Sequence, residues 1–305
     1  MRIAEYEAAQ SLIAVPYETL RQLARDIAID PQRLILVYST GRCGSTLVSR
    51  AINQADGVYS FSEPDVYTQL VALREFDGNN DAEVSDLVRD CTKIMCAAAS
   101  TGGISTWVLK FRSFGIELGH LFFRQFPEAK VVFMYRNVEG YARSSARAFR
   151  LFEPESQEAL PHIQQAFSRL VPLIGAYTAT HTTTIPTIEM LVCMWVAVME
   201  HCLDLQQQGV PMFCVRYEDL KVAPYVVLDA MFSYCGLVVS DPAALDRVLV
   251  QDSQAGTNLS QANTDQSSSI LTEGHVQELH RLLRHYAPHL ESDIILPHTF
   301  LPQRS

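Results

Sequence analysis

Residues 39–46, Ser-Thr-Gly-Arg-Cys-Gly-Ser-Thr, hold the residue types best suited to gripping an anion. An apolar run, Leu34 to Tyr38, leads into them and reads as a short buried strand. Leu47 and Val48 follow Ser45 and Thr46 and open a helix. A strand, a glycine-bearing turn and a helix N-terminus together place backbone N–H groups and the positive end of a helix dipole around one point. Gly41 and Gly44 permit positive φ and close approach, Arg42 adds a cation, and Ser45 and Thr46 add hydroxyl donors. The turn is neither G-x-x-x-x-G-K-[ST], since no lysine follows Gly44, nor G-x-G-x-x-G. A strand-to-helix turn that uses its glycines for geometry alone has the same outline.

A second anion-binding group stands further along. The apolar strand Lys130–Tyr135 delivers Arg136 to its end, and Ser144 follows eight residues later, two turns into the next helix. An arginine supplies a planar fork and a serine a single donor, so the two can share one phosphate. Between 130 and 150 the chain has Lys130, Arg136, Arg143, Arg147 and Arg150 against Glu139 alone. Arg143, Arg147 and Arg150 read as a solvated helix face, and Arg136 as functional. Two anion sites in one sheet suit a nucleotide with phosphates at both ends of its ribose.

These groups need a scaffold, and the chain alternates strands with helices. Strands are expected at 34–38, 58–62, 106–111, 130–135 and 211–216, with helices at about 65–75, 82–99, 115–126, 138–150, 224–235 and 273–286. Residues 1–33 read as two short helices punctuated by Pro16 and Pro31, and 157–208 as mostly helical with a break near 180–187. The polar stretch 252–270 reads as a mobile loop. The expected fold is α/β, a mostly parallel central sheet with helices on both faces and a P-loop-like turn, in a single domain over 1–305. Such sheets bind ligands at the carboxyl ends of their strands, which singles out 39–46, 62–64, 110–113 and 136–144.

Composition narrows the partners. A net charge of −10 argues against a general nucleic-acid or anionic-membrane binder. The opening MRIAEYEAAQ has no long apolar core, and Ile188–Met199 is too short to cross a bilayer. Seven scattered cysteines with no metal-like spacing read as reduced and mostly buried, so a cytoplasmic protein is expected.

The blocks resemble the sulfotransferases that use 3′-phosphoadenosine 5′-phosphosulfate (PAPS). That family's phosphosulfate loop reads R-S-G-[ST]-T or K-S-G-T-T; here it is Arg42, Cys43, Gly44, Ser45, Thr46. The family's 3′-phosphate motif is Arg, commonly Asn, then Ser eight positions on; here Arg136, Asn137 and Ser144. Tyr217–Pro224, YEDLKVAP, is similar to a family segment whose tyrosine lies near the adenine. The blocks stand in family order and span 34 to about 237. Cys43 replaces the usual serine, Val138 the usual proline, and the C-terminal R-K-G segment has no clear counterpart, with 252–263 a candidate for its role in which no residue can be matched.

The resemblance implies a sulfuryl group moved from PAPS to a hydroxyl or amine of a small-molecule acceptor, with PAP as product and no metal. It implies Arg42 as stabiliser of the leaving phosphate, helped by backbone N–H groups of Gly44, Ser45 and Thr46. The histidine of the cytosolic branch is absent, since Lys110-Phe111-Arg112-Ser113 stands where K-T-H-L-P would. Glu63, in Ser-Glu-Pro after the second strand, is the candidate base, or else a helix-capping acid. Lys110 and Arg112 would bind sulfuryl oxygens, or pair with Glu63 or Glu117. His120 reads as structural, His201 as a helix-surface histidine, and Trp195, Met194 and Met199 as core. The rival readings are a P-loop kinase or other NTPase, and an inactive nucleotide-binding module of the same fold. Neither oligomeric state nor acceptor identity is legible.

Overall fold

The computed structural model describes residues 14–100, 102–251 and 260–303. Five strands form one sheet: β1 Leu34–Ser39, β2 Val58–Ser62, β3 Thr106–Lys110, β4 Lys130–Tyr135 and β5 Met212–Arg216. All pairings are parallel, and the order is β2-β3-β1-β4-β5. From β1 the chain runs outward to β2 and back through β3, then crosses to β4 on the other side. The connections leaving β1 and β4 therefore diverge and open a crevice between their carboxyl ends, the place where such sheets hold ligands.

Strands β1, β3 and β4 are buried on both faces, which is why they read as apolar runs instead of alternating ones, while the edge strand β2 is mostly half-buried or exposed. Side chains of alternate residues still part to opposite faces. Leu34, Leu36, Tyr38, Leu109, Phe133 and Tyr135 enter a large core with helices Asp65–Leu73, Asp81–Ala99 and Thr187–Gln207. Ile35, Val37, Val108, Val132, Met134 and Val215 enter a smaller one with Ser45–Ile52 and Pro224–Cys235. Each fully buried aliphatic side chain there contributes about 1.5–3 kcal/mol.

Element boundaries follow the sequence expectation to within a few residues, with differences that have causes. Residues 113–118 form a tight 3₁₀ turn before the helix Gly119–Gln125, because Gly115 and Gly119 sit where a Cβ would strike Phe111 at 2.7 Å and Leu205 at 2.6 Å. The expected mobile loop 252–270 is partly a correction. Its first part, 252–259, lies outside the described residues, but Gln261–Asp265 is helical and Ser267 and Ser269 are buried. Ser267 and Ser268 donate to Glu153, and Ser269 Oγ accepts from Phe152 N at 3.0 Å. Three of its serines thus have specific partners, while Asn263, Asp265, Gln266 and Ser268 stay exposed. The helix Pro242–Val250 lies in a stretch where no element was expected. The first of the two N-terminal helices is outside the described residues; the second is Tyr17–Arg25. Among the described residues no helix is long and apolar enough to cross a membrane.

Candidate active site

The turn after β1 is held by β4. Thr40 N donates to Met134 O at 3.0 Å, extending the ladder one residue beyond the strand. Cys43 is fully buried, and its thiol meets Met134 O at 3.4 Å. Burial pushes that thiol up, against hydrogen bonds with Ser39 and Thr40. The Cys43 side chain thus faces the sheet, and only its backbone belongs to the turn. Gly41, Arg42 and Gly44 have φ of 79°, 54° and 80°. For the arginine this is a strained conformation, of the kind held only where surrounding structure demands it. Gly44 caps the helix Ser45–Ile52 with no side-chain hydrogen bond, and the helix N-terminus directs its dipole toward the turn.

Gly44 has a second reason. A Cβ there would meet Leu220 Cδ2 and Tyr217 Cδ2, each at 3.3 Å. The segment after β5 therefore presses on the turn, and all four residues of Tyr217-Glu218-Asp219-Leu220 brace the site. The Tyr217 ring lies under the Arg136 guanidinium at 4.4 Å, in cation–π geometry. Glu218 accepts from the Asn137 side chain and from Asn137 N at 3.3 Å. Asp219 holds Arg216 in a bidentate pair at 2.8 and 3.0 Å.

Arg136 and Ser144 meet Arg42 across the crevice. Arg42 Nε donates to Ser144 Oγ at 3.1 Å, and Arg136 Nη1 donates to the Arg42 carbonyl at 3.3 Å. Burial, then the neighbouring Arg136, hold the Arg42 guanidinium below its ordinary value. Two guanidiniums brought this close are stable company for an anion and poor company for each other. Arg136 Nε is buried with no partner among the described residues. Gly140 is required beside it, since a Cβ there would lie 2.6 Å from that nitrogen. A cavity of about 320 Å³ opens here, lined by Arg42, Arg136, Arg143, Ser144 and Arg147. Ile270, the last residue of the stretch read as loop, and Leu271 beside it line the same cavity.

Sequence reasoning missed three supports of this group. Trp195, read as core, is fully buried and also donates from Nε1 to the Arg136 carbonyl at 2.9 Å. The signal was available, because a buried indole N–H needs an acceptor. Asn137 caps its helix through Gly140 N at 2.6 Å, which orients Ser144 two turns on. Arg143 and Arg147, assigned to a solvated face, are exposed as expected and also line the cavity. Only the fold could reveal this, since their face is set by what lies opposite.

At the other end of the row, Glu63 follows β2 with φ 56°. Its N–H donates to Lys110 O at 2.7 Å, and its carboxylate pairs with the Lys110 ammonium. Arg112 Nε stands 3.6 Å from the other carboxylate oxygen and bonds Asp65 at 3.1 Å. Of the two pairings open to Lys110 and Arg112, the one with Glu63 is formed. Glu117 instead faces Arg74 and His201, at 4.0 and 3.2 Å, and burial raises its carboxyl to about 8. His201 is thus not a surface histidine, and burial pulls it down. His120 is structural as expected, bonded to Asp81 at 3.1 Å. A cavity of about 660 Å³ borders Glu63, with Tyr59, Phe61, Val66, Met95 and Arg112 among its walls.

The sheet order thus sets Glu63, then Lys110 and Arg112, then the 39–46 turn, then Arg136, then Tyr217 in one row along its carboxyl edge. Strand spacing puts the ends of β2 and β1 roughly 10 Å apart, a gap that long side chains cross.

No protein-family model and no curated protein matches the chain. Solved structures similar to it include a sulfotransferase from Alicyclobacillus acidocaldarius, 15% identical with a TM-score of 0.43, covering 70% of this chain and 88% of that one. A sulfotransferase from Mycobacterium tuberculosis is 15% identical with a TM-score of 0.46, covering 88% of this chain and 81% of that one. The sulfotransferase domain of the Synechococcus PCC 7002 olefin synthase is 15% identical with a TM-score of 0.44, covering 85% of this chain and 95% of that one.

Proposed function

We propose that this chain is a sulfotransferase that moves a sulfuryl group from PAPS to a hydroxyl or amine of a small-molecule acceptor. One observation carries the reading: Arg42, Arg136 and Ser144, distant in sequence, converge at the β1/β4 crevice with an aromatic ring, Tyr217, under the guanidinium. Two anion-binding groups flanking a stacking surface suit a nucleotide phosphorylated on both sides of its ribose. The fit is supported by the buried unpartnered Arg136 Nε and by the helix N-terminus at Gly44, whose dipole is directed toward the turn.

In this reading the turn 41–46 binds the phosphosulfate, and Arg136 with Ser144 binds the 3′-phosphate. Tyr217 meets the adenine side. The acceptor enters the cavity beside Glu63 and attacks sulfur in line with the leaving phosphate. Its proton passes to Glu63 as the S–O bond to the phosphate breaks and PAP departs. Charge builds on the leaving oxygen, where Arg42 and the N–H groups of Gly44, Ser45 and Thr46 stabilise it. Lys110, buried at the end of β3, stands between Glu63 and the turn and suits the sulfuryl oxygens. An arginine follows β4 where an NTPase would place a metal-binding acid.

The test is a sulfation assay with PAPS over a panel of neutral hydroxyl and amine acceptors, alongside calorimetry with PAP and AMP. Acceptor-dependent PAP release and a strong preference for PAP are expected. Equal affinity for PAP and AMP removes the donor assignment, and magnesium-dependent ATP hydrolysis replaces it with the NTPase reading. PAP binding without transfer to any acceptor leaves a binding module.

A further inference from the structure

The arginines after Ser144 do not behave alike. Arg150 lies beyond the helix end with φ 52° and pairs with Glu153 at 2.5 Å. Arg143 is neutralised by Glu139 at 2.8 Å and also reaches Leu271 O at 3.4 Å. Arg147 has no carboxylate within ion-pair reach among the described residues, yet it lines the 320 Å³ cavity with Arg42, Arg136 and Ser144. Its position is set by the helix Val138–Ala148, in which residues three apart share a face. Ser144 and Arg147 therefore project together from a helix that Asn137 fixes at its start.

The charges in the cavity form a definite count. Arg143 is cancelled by Glu139, and Asp265 stands on the wall against Arg42, Arg136 and Arg147. With Arg42 assigned to the phosphosulfate, Arg136 and Asp265 alone would leave no net positive charge for a phosphomonoester dianion. Arg147 supplies the charge that this balance lacks. Ser144 accepts from Arg42, which leaves its own hydroxyl proton to donate.

We propose that Arg147 is a specificity-determining residue of this cavity, a third guanidinium that binds the ribose 3′-phosphate and tells nucleotides bearing one from those without. This rests on the donor reading given above. The test is calorimetry with PAP and AMP on the wild type, Arg147→Ala, Arg147→Lys and Arg150→Ala. Arg147→Ala should weaken PAP by about tenfold or more, the scale of one charge-assisted hydrogen bond, and change AMP by less than about twofold. Arg147→Lys should recover part of the loss, and Arg150→Ala, an equal change of charge outside the cavity, should leave both nucleotides as in the wild type. Full PAP preference in Arg147→Ala overturns the proposal while the donor reading stands. Equal losses in Arg147→Ala and Arg150→Ala overturn it as a general charge effect. A wild type indifferent to the 3′-phosphate sinks the donor reading and the proposal together.

Discussion

Replacing Glu63 with Gln keeps the shape of the side chain and removes its basicity, but the fold makes the variant more than a test of the base. The Lys110 side chain is 4% exposed and its carboxylate partner 36% exposed. Breaking a fully buried pair costs about 3–5 kcal/mol because the remaining charge is stranded. Glu63 is partly solvated, and Arg112 stays beside it, so a loss of about 1–2 kcal/mol is expected. In a chain of this size that lowers Tm by roughly 2–8 °C. Loss of a general base should independently lower turnover by about 10²–10⁴. The double variant Glu63→Gln, Lys110→Met separates the two effects, since it removes the stranded ammonium as well. Its Tm should return toward the wild type while turnover stays low. The assay is steady-state PAP release beside melting curves for both variants. Full turnover in Glu63→Gln with a lowered Tm would refute the base and leave Glu63 as a counter-ion for Lys110.

Arg42→Ala should lower turnover more than PAP affinity, because its charge matters most as the leaving phosphate develops, and Arg42→Lys should keep part of the activity; unchanged turnover in Arg42→Ala removes it from the mechanism. Gly44→Ala forces an L residue to φ 80° against Tyr217 and Leu220 at 3.3 Å. It should cost at least about 1–2 kcal/mol of stability and weaken PAP binding, with a wild-type melting curve contradicting the packing described. The Glu117 carboxyl, raised to about 8 by burial, binds its proton more tightly in the folded chain than its ordinary value of 4.5 allows in the unfolded one. The folded state then holds the extra proton between those values, so this group's contribution to stability is present in acid and falls as pH rises toward 8. Glu117→Gln should flatten that slope in Tm between pH 5 and 8, and an unchanged slope would assign it to other groups; His201 and His120, both pulled down by burial, act in the opposite direction.

Much of this was legible along the chain. The strands at 34–39, 106–110 and 130–135 declare themselves as apolar runs because each is buried on both faces of a parallel sheet, and 212–216 is nearly so, while the edge strand 58–62 is largely half-buried or exposed and mixes serines with its apolar residues. The turn at Gly41–Gly44 and the Arg136–Ser144 spacing are also local, since a glycine turn and two helical turns are set by residues close in sequence. What the sequence could not decide is which side chains meet across the sheet edge. Lys110 had Glu63 and Glu117 open to it; the parallel register of β2 and β3 sets Ser62 opposite Lys110 and so brings Glu63 to it. Cys43 stood in a ligand motif, yet its thiol turns to Met134, because β4 pairs with β1 and supplies the carbonyl. Trp195 looked like filling for a core, and its N–H fixes the Arg136 carbonyl only because the helix Thr187–Gln207 crosses that strand end. Arg147 and Arg150 are three residues apart with identical side chains. The helix ends between them, at Ala148, so one lines the cavity and the other turns away to Glu153. Local sequence sets φ, ψ and periodicity; the partners of a charged side chain depend on contacts between segments far apart in the chain, and those exist only once the sheet has closed.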